Sequence, residues 1–262
     1  MAGPPLEKLL FVSFREKARH NRDVIGPYLN AFGILLGALF GLTLRKPLKV
    51  RTQAFFRSAL GAFTVFYGLR LIYENVHGGV LNALRQVCVA GLAVVAGYWL
   101  GRLLRLQVWS NRAGHRAAVV LGEAQKQPPG STEAGFWAVS LLFCAAPLGI
   151  LGAVMDGLEN FFYLLLLKAV MDGLAMMSFM KMFRWPVALA AIPVFVFLNG
   201  LALLVRMGAH PGLGNPLTDS VGLAAGLVTC VVALVIFEIR RVELANYLPA
   251  LAVAPLLAHW LG

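Results

Sequence analysis

The sequence predicts an all-α, polytopic integral membrane protein, a bundle of about eight transmembrane segments. The chain of 262 residues is 59% hydrophobic and only 13% charged, which is far from the composition of a soluble globular domain. Runs of about 20 apolar residues recur along it, the length that an α-helix needs to cross a bilayer. Because these runs are continuous, they exclude the alternating pattern of an outer-membrane barrel.

The apolar runs divide into eight predicted spans. The last one contains Pro249 and Pro255, and Asp156 ends the fourth. The segments near 156 and 249 are therefore predicted either to cross the membrane or to be broken or re-entrant. The two membrane regions are 24–105, with three spans, and 135–262, with five; in order, the spans are 24–44, 54–73, 80–104, 135–156, 160–181, 186–206, 219–238 and 243–261.

The loops between these spans alternate in charge. One set of alternate loops, with the long one counted as 102–134, carries fourteen lysines and arginines, whereas the opposite set has at most three at its edges. Loops rich in Lys and Arg stay in the cytoplasm, which predicts a multi-pass protein of the bacterial inner (plasma) membrane. The same pattern explains the net charge of +11 by orientation and anionic lipid, without nucleic acid. The predicted cytoplasmic loops are 45–57, 106–134, 181–185 and 238–243.

The N-terminal segment disagrees with this alternation. Residues 1–23 form a basic extension, and residues 6–22 place apolar side chains at helical spacing, which predicts an amphipathic helix on the membrane surface. The alternation puts the N-terminus outside, although residues 6–22 carry five basic residues. The four basic loops outweigh the extension, and the side of the N-terminus stays open.

The sequence contains no catalytic, cofactor or metal motif. It has no Walker loop, dinucleotide fingerprint, metal-ligand cluster or Ser-His-Asp arrangement. Cys88, Cys144 and Cys230 lie singly in apolar stretches, which is typical of small buried side chains. We expect neither an enzyme nor a cofactor or metal centre. The expected partners are the lipid bilayer and a small solute or ion.

The hexapeptide AVMDGL occurs at 153–158 and again at 169–174, each time with an aspartate inside apolar sequence. A carboxylate near the bilayer centre costs roughly 2.5–3.5 kcal/mol, so it needs a partner or a water-filled cavity. Asp172 lies near the middle of its span with Lys168 one turn earlier, which predicts an ion pair. Asp156 lies at the far end of the preceding span, so a plain hairpin offsets the two aspartates by roughly 13 Å.

Three interpretations of the aspartates stay open. In the first, Asp172 and Lys168 form a structural ion pair, and Asp156 is a wetted interface position. In the second, they belong to a solute or ion pathway, in which Asp172 titrates or binds a cation and Lys168 is its counter-charge. The third is an intramembrane aspartyl protease, whose two carboxylates share a proton. The axial offset disfavours the protease, as does the order Asp-Gly where such enzymes tend to have Gly-Asp.

One face of the first span is lined with glycine. Two overlapping GxxxG units there, and another in the third span, predict close helix packing. Asn30 shares that face, and it is predicted to hydrogen-bond across the packed pair or to touch a solute. A homodimer through the first-span glycines is compatible with this pattern. The predicted packing residues are Gly33, Gly37, Gly41, Gly97 and Gly101.

Two later spans carry residues that interrupt helices. Pro193 and the pair Asn199–Gly200 stand in the sixth span, and Asn246 and Pro249 stand early in the eighth. Proline and glycine free backbone groups, which transporters use where helices unwind in mid-membrane. Simple kinks at helix contacts explain each of them at least as well.

Four stretches together resemble a known family. They are LNAFGILLGALFGLTLRK (29–46), LLFCAAPLGILGAVMDGL (141–158), LLLLKAVMDGLAMMSF (164–179) and VELANYLPALAVAPLL (242–257). In this order the chain resembles the YqgA/YdfK-like uncharacterised bacterial membrane proteins, domain of unknown function 554, from about residue 25 to its end. The resemblance implies that the family positions here are Asn30, Asp156, Lys168, Asp172 and Asn246 to Pro249.

The chain also departs from the family pattern. Arg102 stands where an acidic residue is usual, Asn199–Gly200 stands where Gln-Gly is usual, and residues 1–23 are an addition. The resemblance implies a bacterial inner-membrane protein, an association with biofilm behaviour and a suspected transport role, without naming a substrate.

These observations predict a small-solute or ion transporter that works by alternating access around a mid-membrane charged site. The alternative is a non-transporting membrane scaffold or signalling component, in which the intramembrane ion pair is structural. The predicted substrate- or ion-binding residues are Asn30, Asp156, Lys168, Asp172, Asn199 and Asn246.

Overall fold

The computed structural model describes residues 24–43, 49–126, 132–208, 215–240 and 242–261, and the predicted extension 1–23 lies outside them. Ten α-helices and two 3-10 segments account for most of the described ranges. The α-helices are α1 (Gly26–Thr43), α2 (Val50–Asn75), α3 (Val80–Leu103), α4 (Leu106–Lys126), α5 (Thr132–Cys144), α6 (Pro147–Glu159), α7 (Tyr163–Phe183), α8 (Ala191–Gly208), α9 (Asn215–Ile236) and α10 (Ala250–Leu261); the 3-10 segments Trp185–Ala190 and Leu244–Tyr247 precede α8 and α10.

These helices reproduce the eight predicted spans. Seven segments of the described chain are long and apolar enough to cross a membrane, and α5 with α6 forms a further bent pair that passes the same test. Each helix lies within a few residues of its predicted span. The prediction of an all-α membrane bundle is therefore confirmed.

The fourth span is broken at Ala145 and Ala146, and its two halves meet at 57°. Pro147 explains the break. Proline has no N–H, so the carbonyl of Phe143 loses its helical donor, while proline suits the first residue of the helix that follows. Asp156 lies within α6. The sequence analysis allowed a break near residue 156, and the structure has the break earlier, at Ala145 and Ala146.

Glycine contacts between α1 and α7 give the relative direction of the two helices. A Cβ at Gly33 would lie 2.6 Å from the carbonyl oxygen of Ala169, and one at Gly41 would lie 2.7 Å from Cβ of Met180. Residue numbers rise together along both helices, so they run parallel. Parallel spans are separated by an odd number of crossings. Since α2 and α3 supply two, α5 and α6 together cross once, as one broken span.

The last span crosses the membrane as well. Gly97 of α3 contacts Ala250, and Gly101 contacts Asn246, so residue numbers fall along one helix as they rise along the other. The α3 helix is the third span and α10 belongs to the eighth. An odd-numbered and an even-numbered crossing run in opposite directions, so the two helices are expected to be antiparallel, as they are. The segment near 249 therefore joins its 3-10 turn and α10 into a single crossing. The lengths and relative directions of the described segments therefore fit eight crossings.

Two large apolar clusters, and a small one of Ala93, Ala224 and Ala254, hold the bundle together. One includes Ile34 of α1, Met176 of α7 and Leu198 of α8, and the other includes Leu71 of α2 and Leu164 of α7 together with residues of α6 and α9. In a bilayer such contacts stabilise through close packing. Because α7 contributes to both of these clusters, it joins them.

The predicted glycine face of α1 packs inside the molecule. Gly33 and Gly37 contact the backbone of Ala169 and Gly173 on α7, and a Cβ at Gly37 would overlap the Gly173 carbonyl. The homodimer through this face stays a prediction, and it would have to displace α7.

The predicted 106–134 loop is helical over most of its length. It forms α4 from Leu106 to Lys126, a helix that the sequence analysis did not predict. Trp109 is exposed and Ala117 is buried, so the helix has an inner and an outer side. Its apolar residues are interrupted by Arg112 and Arg116, and so no continuous run marks it in the sequence.

Candidate functional site

Lys168 and Asp172 form an ion pair at the centre of α7. Their side chains are only 2% and 9% exposed, and Lys168 Nζ donates a hydrogen bond to Asp172 Oδ2. Because α7 runs from Tyr163 to Phe183, Asp172 lies close to the middle of the span. The predicted pair therefore forms, and it is buried in the protein.

The Lys168 side chain lies in a slot formed by α5, α6 and α8. Its ammonium lies 5.5 Å from the centre of the Phe143 ring, an arrangement that favours a cation. A Cβ at Gly149 would lie 2.6 Å from Lys168 Cε and 3.2 Å from Cδ2 of Leu198. Gly149 thus makes room for the lysine stem. Sequence reasoning missed it, although Gly149 follows Pro147 closely enough to mark an unusual helix start.

Asn30 of α1 lies beside this pair. It is fully buried and interacts with the carboxylate of Asp172 across the α1–α7 contact. Neither Nδ2 nor Oδ1 of Asn30 has regular hydrogen-bond geometry to any described residue. A buried amide without a well-formed hydrogen bond is costly, so Asn30 keeps hydrogen-bonding capacity next to a buried charge.

Asp156 binds the beginning of the same helix. The backbone N–H of Gly26 donates to Asp156 Oδ2 at 2.8 Å, and the aspartate is buried. A carboxylate at a helix N-terminus satisfies a free N–H and interacts favourably with the helix dipole. Asp156 therefore fixes the start of α1, one turn before Asn30.

The repeated hexapeptide makes the same arrangement twice. In each copy the aspartate faces α1, through Gly26 for Asp156 and through Asn30 for Asp172. In each copy the glycine allows a close backbone approach: Gly157 to the Ala202 carbonyl on α8, and Gly173 to the Gly33 carbonyl on α1. The two carboxylates thus have different partners: the Gly26 N–H for Asp156, and Lys168 with Asn30 for Asp172.

The break in the fourth span lies next to the ion pair. Cys144 is the last residue of α5, and its thiol lies within electrostatic range of Lys168 and Asp172. Its Sγ is 4.0 Å from the carbonyl oxygen of Pro193 on α8. Helix ends leave backbone carbonyls without helical donors, and the end of α5 lies beside Lys168 through the Phe143 ring.

Like Asp156, the two other predicted site residues have no hydrogen bond to the Lys168–Asp172 pair within the described residues. Asn246 uses its side chain to accept from Gln107 N at 3.0 Å and to donate to Glu243 at 2.7 Å, which ties the start of the last span to α4. Asn199 is half-buried on α8, and no hydrogen bond within the described ranges joins it to the pair.

A separate cavity of about 620 Å³ opens between α2, α7 and α9. Met171 lines it, but Lys168 and Asp172 do not, because their side chains turn to another side of α7. In the part of the chain that the structure describes, no group of three or more His, Cys, Asp or Glu residues could hold a metal ion.

Comparison with known proteins agrees with the resemblance in the sequence. The sequence model of the family described as "Protein of unknown function (DUF554)" matches residues 25–259. The chain is 29% identical over 239 residues to the uncharacterized protein YqgA of Escherichia coli (strain K12), covering 90% of this chain and 97% of that protein. It is 23% identical over 232 residues to the uncharacterized membrane protein YdfK of Bacillus subtilis (strain 168), covering 88% and 94%. No solved structure matches the chain.

Proposed function

The chain belongs to the protein family of unknown function DUF554, and we propose that it transports a small solute or an ion across the bacterial inner membrane by alternating access. One arrangement supports the proposal: the buried Lys168–Asp172 pair lies against the Asn30 amide and beside a broken span. The proposal includes no enzymatic activity.

Stability alone does not account for this arrangement. A charge at the bilayer centre costs roughly 2.5–3.5 kcal/mol, and a buried ion pair can often be replaced by apolar residues without loss of stability. A buried amide without a hydrogen bond costs about 1–3 kcal/mol. Apolar side chains at Asn30, Lys168 and Asp172 would avoid these costs, whereas a bound ligand gives a reason to keep them.

In the proposed cycle, Asp172 binds a proton or another small cation, and Asn30 offers a neutral amide oxygen beside it. A cation on the carboxylate weakens its attraction for Lys168. The ammonium then interacts more strongly with the Phe143 ring and with the free carbonyls at the end of α5. Because broken helices in transporters serve as hinges, movement of α5 against α6 exposes the pair to one side of the membrane at a time.

A ligand screen by thermal unfolding tests this proposal first. The purified protein is heated with ions, amino acids, organic acids or nucleobases at several pH values. Asp172→Asn is compared with Asp156→Asn, which makes the same change in the same hexapeptide. A ligand at 100 times its Kd is expected to stabilise the wild type and Asp156→Asn by roughly 2.7 kcal/mol, and to leave Asp172→Asn unchanged.

Uptake into proteoliposomes then uses the ligand found by the screen. We expect Asp156→Asn to take it up and Asp172→Asn to fail. If Asp172→Asn keeps wild-type uptake with the same pH dependence, the proposed role of Asp172 is wrong.

A non-transporting scaffold or signalling component is the second candidate. The enclosure of the pair favours it, because Lys168 is 1% exposed and does not line the cavity. On this hypothesis no ligand binds, and exchanging Lys168→Asp with Asp172→Lys restores the folding that either single change impairs. On the transport hypothesis the exchanged protein folds without regaining uptake.

The proposed orientation places the basic end of the bundle, where α1 ends and α2 begins, in the cytoplasm. Alkaline phosphatase fused after residue 126 is expected to be inactive, and the same enzyme fused after residue 79 to be active. The opposite pattern would reverse the orientation.

The association with biofilm behaviour is part of the same proposal: cells that carry only Asp172→Asn are expected to form biofilm as cells lacking the protein do.

A further inference from the structure

The cavity between α2, α7 and α9 has the form of a small-molecule site. Its volume of about 620 Å³ lies within the range of roughly 300–1,000 Å³ that such sites occupy. It opens at the basic end of the bundle and extends along α7 toward mid-membrane. Its lining is polar at the basic end, which we call the mouth, and apolar further along α7: Arg57, Ser178 and Lys181 line the mouth, and Leu60, Met171 and Leu174 line the rest.

The mouth carries one positive charge in excess. Arg57 forms an ion pair with Glu238, and both side chains are exposed, at 43% and 68%. Lys181 forms no ion pair with any residue that the structure describes, and Ser178 lies one turn before it on the same side of α7. An ammonium and a hydroxyl thus face the opening together. This set recognises a single acidic group.

The interior suits an unbranched apolar chain. Met171 lies ten residues before Lys181, which corresponds to roughly 15 Å along the helix at 1.5 Å per residue. Leu60 of α2 faces Leu174 of α7 across the space between the helices. Methionine is unbranched and adaptable, so Met171, which is 37% exposed, can fit its side chain to apolar chains of different length.

We propose that this cavity binds an organic anion with one acidic head group and an apolar chain. The head lies between Lys181, Ser178 and Arg57, and the chain extends past Leu174 to Met171. A dissolved carboxylate and an acidic lipid of the bilayer share this chemistry. The inference does not rest on transport, because the cavity and the Lys168–Asp172 pair lie on different sides of α7.

Calorimetric titration of the protein in phosphatidylcholine nanodiscs tests the site. The probe is sodium octanoate, and empty nanodiscs give the background from partitioning into lipid. Butyrate tests the need for a chain, and octanol and octylammonium test the need for an anion. We expect saturable binding of octanoate, with butyrate at least tenfold weaker because it buries fewer methylene groups, and no saturable binding of octylammonium.

Two variants and a matched control locate the binding. Lys181→Gln is expected to weaken octanoate at least tenfold, and Ala175→Phe, which fills the cavity, to abolish binding while the protein still unfolds cooperatively. Arg112→Gln removes a basic residue from α4, outside the cavity, and is expected to bind as the wild type does. The proposal is overturned if octanoate does not saturate, if Lys181→Gln binds normally, or if Arg112→Gln loses as much affinity as Lys181→Gln.

Nanodiscs that contain phosphatidylglycerol distinguish the two sources of the anion. If this lipid raises the apparent Kd of octanoate in the wild type more than in Lys181→Gln, the bilayer supplies the occupant. If the Kd is unchanged, the site serves a dissolved anion. Either result requires the saturable, Lys181-dependent binding that the first titration measures.

Discussion

At the scale of single residues, the buried charges of Lys168 and Asp172 are each tolerated in the folded protein because the other is present. Lys168→Met leaves Asp172 as a buried charge without its partner, and Asp172→Leu leaves the lysine in the same state. Each single change is expected to lower the free energy of unfolding by about 3–5 kcal/mol. The double variant Lys168→Met with Asp172→Leu removes both charges, and is expected to be as stable as the wild type or more so.

Reversible unfolding in mixed micelles measures this double-mutant cycle. The coupling between the two sites is expected to be large, because they are in direct contact. Two single variants that each fall within about 1 kcal/mol of the wild type would contradict a tightly enclosed pair. They would indicate that water reaches the site and solvates the remaining charge.

Asn30 is expected to matter for binding and not for stability. Asn30→Leu keeps the number of side-chain heavy atoms and removes a buried amide without regular hydrogen-bond geometry, which is expected to leave stability unchanged or to raise it by about 1 kcal/mol. The same change is expected to abolish the ligand response and uptake. Asn199→Leu on α8 is the matched control and is expected to retain both. A loss of more than about 2 kcal/mol in Asn30→Leu would show instead that the amide holds Asp172 in place.

The sequence predicts part of this site because part of it is local. Lys168 and Asp172 are four residues apart on one helix, so spacing alone brings them together. Asn30 is far from both in the chain, and only the parallel contact of α1 with α7 puts it beside Asp172. Asn246 carries the same amide in a similar context, yet its hydrogen bonds go to Gln107 and Glu243. Residue type does not distinguish these two roles; packing does.

At the scale of helices, the α1–α7 contact depends on the absence of side chains. A Cβ at Gly37 would overlap the backbone of Gly173, so Gly37→Ala is expected to destabilise the protein by about 1–3 kcal/mol through overpacking. Gly91 on α3 is the control, because no atom lies within 4 Å of its Cβ position. Gly91→Ala is expected to be neutral or to stabilise by up to about 1 kcal/mol, since alanine favours helices.

Thermal unfolding of the two glycine variants in the same detergent makes the comparison. Equal midpoints for Gly37→Ala and Gly91→Ala would mean that α1 and α7 are not in backbone contact, and the position of Asn30 would then lose its support. A lower midpoint for Gly37→Ala alone agrees with the register that brings Asn30 to Asp172.

Helix positions follow from the sequence better than helix interruptions do. Continuous apolar runs mark all eight spans, because crossing a bilayer demands length and apolarity whatever the packing. Pro147 marks the break between α5 and α6, but Pro193 and Pro255 lie within or near spans without a comparable break. A proline removes one hydrogen bond, and the neighbouring helices decide whether the chain bends there. The helix α4 has no continuous apolar run, so a search for apolar runs does not detect it.

At the scale of the whole molecule, glycine contacts decide what hydropathy leaves open. By length and apolarity, seven segments can cross the membrane, and the bent α5–α6 pair is a further candidate. The pair could either cross the membrane or turn back to the side where it began. The parallel direction of α1 and α7 requires it to cross. The antiparallel contact of α2 with α9, through Gly68 and Gly226, agrees, as a second and a seventh crossing must run in opposite directions. Charge alternation in the loops predicts the same count from unrelated information.

Eight crossings predict which loops share a side of the membrane. The turn before α3 and the turn before α7 lie on one side, and α4 lies on the other. We would label single cysteines with a membrane-impermeant maleimide in a background with Cys88, Cys144 and Cys230 replaced by serine. The sites are Gly79→Cys, Phe162→Cys and Gly114→Cys; around Gly79 and Gly114 no atom lies within 4 Å of the Cβ position. In sealed vesicles of one orientation, positions 79 and 162 are expected to react together and position 114 only after the membrane is opened, or the reverse.

If position 162 instead reacts together with 114, the α5–α6 pair returns to its starting side. In that case α7 would run antiparallel to α1, and Asn30 could not lie beside Asp172 in the register described.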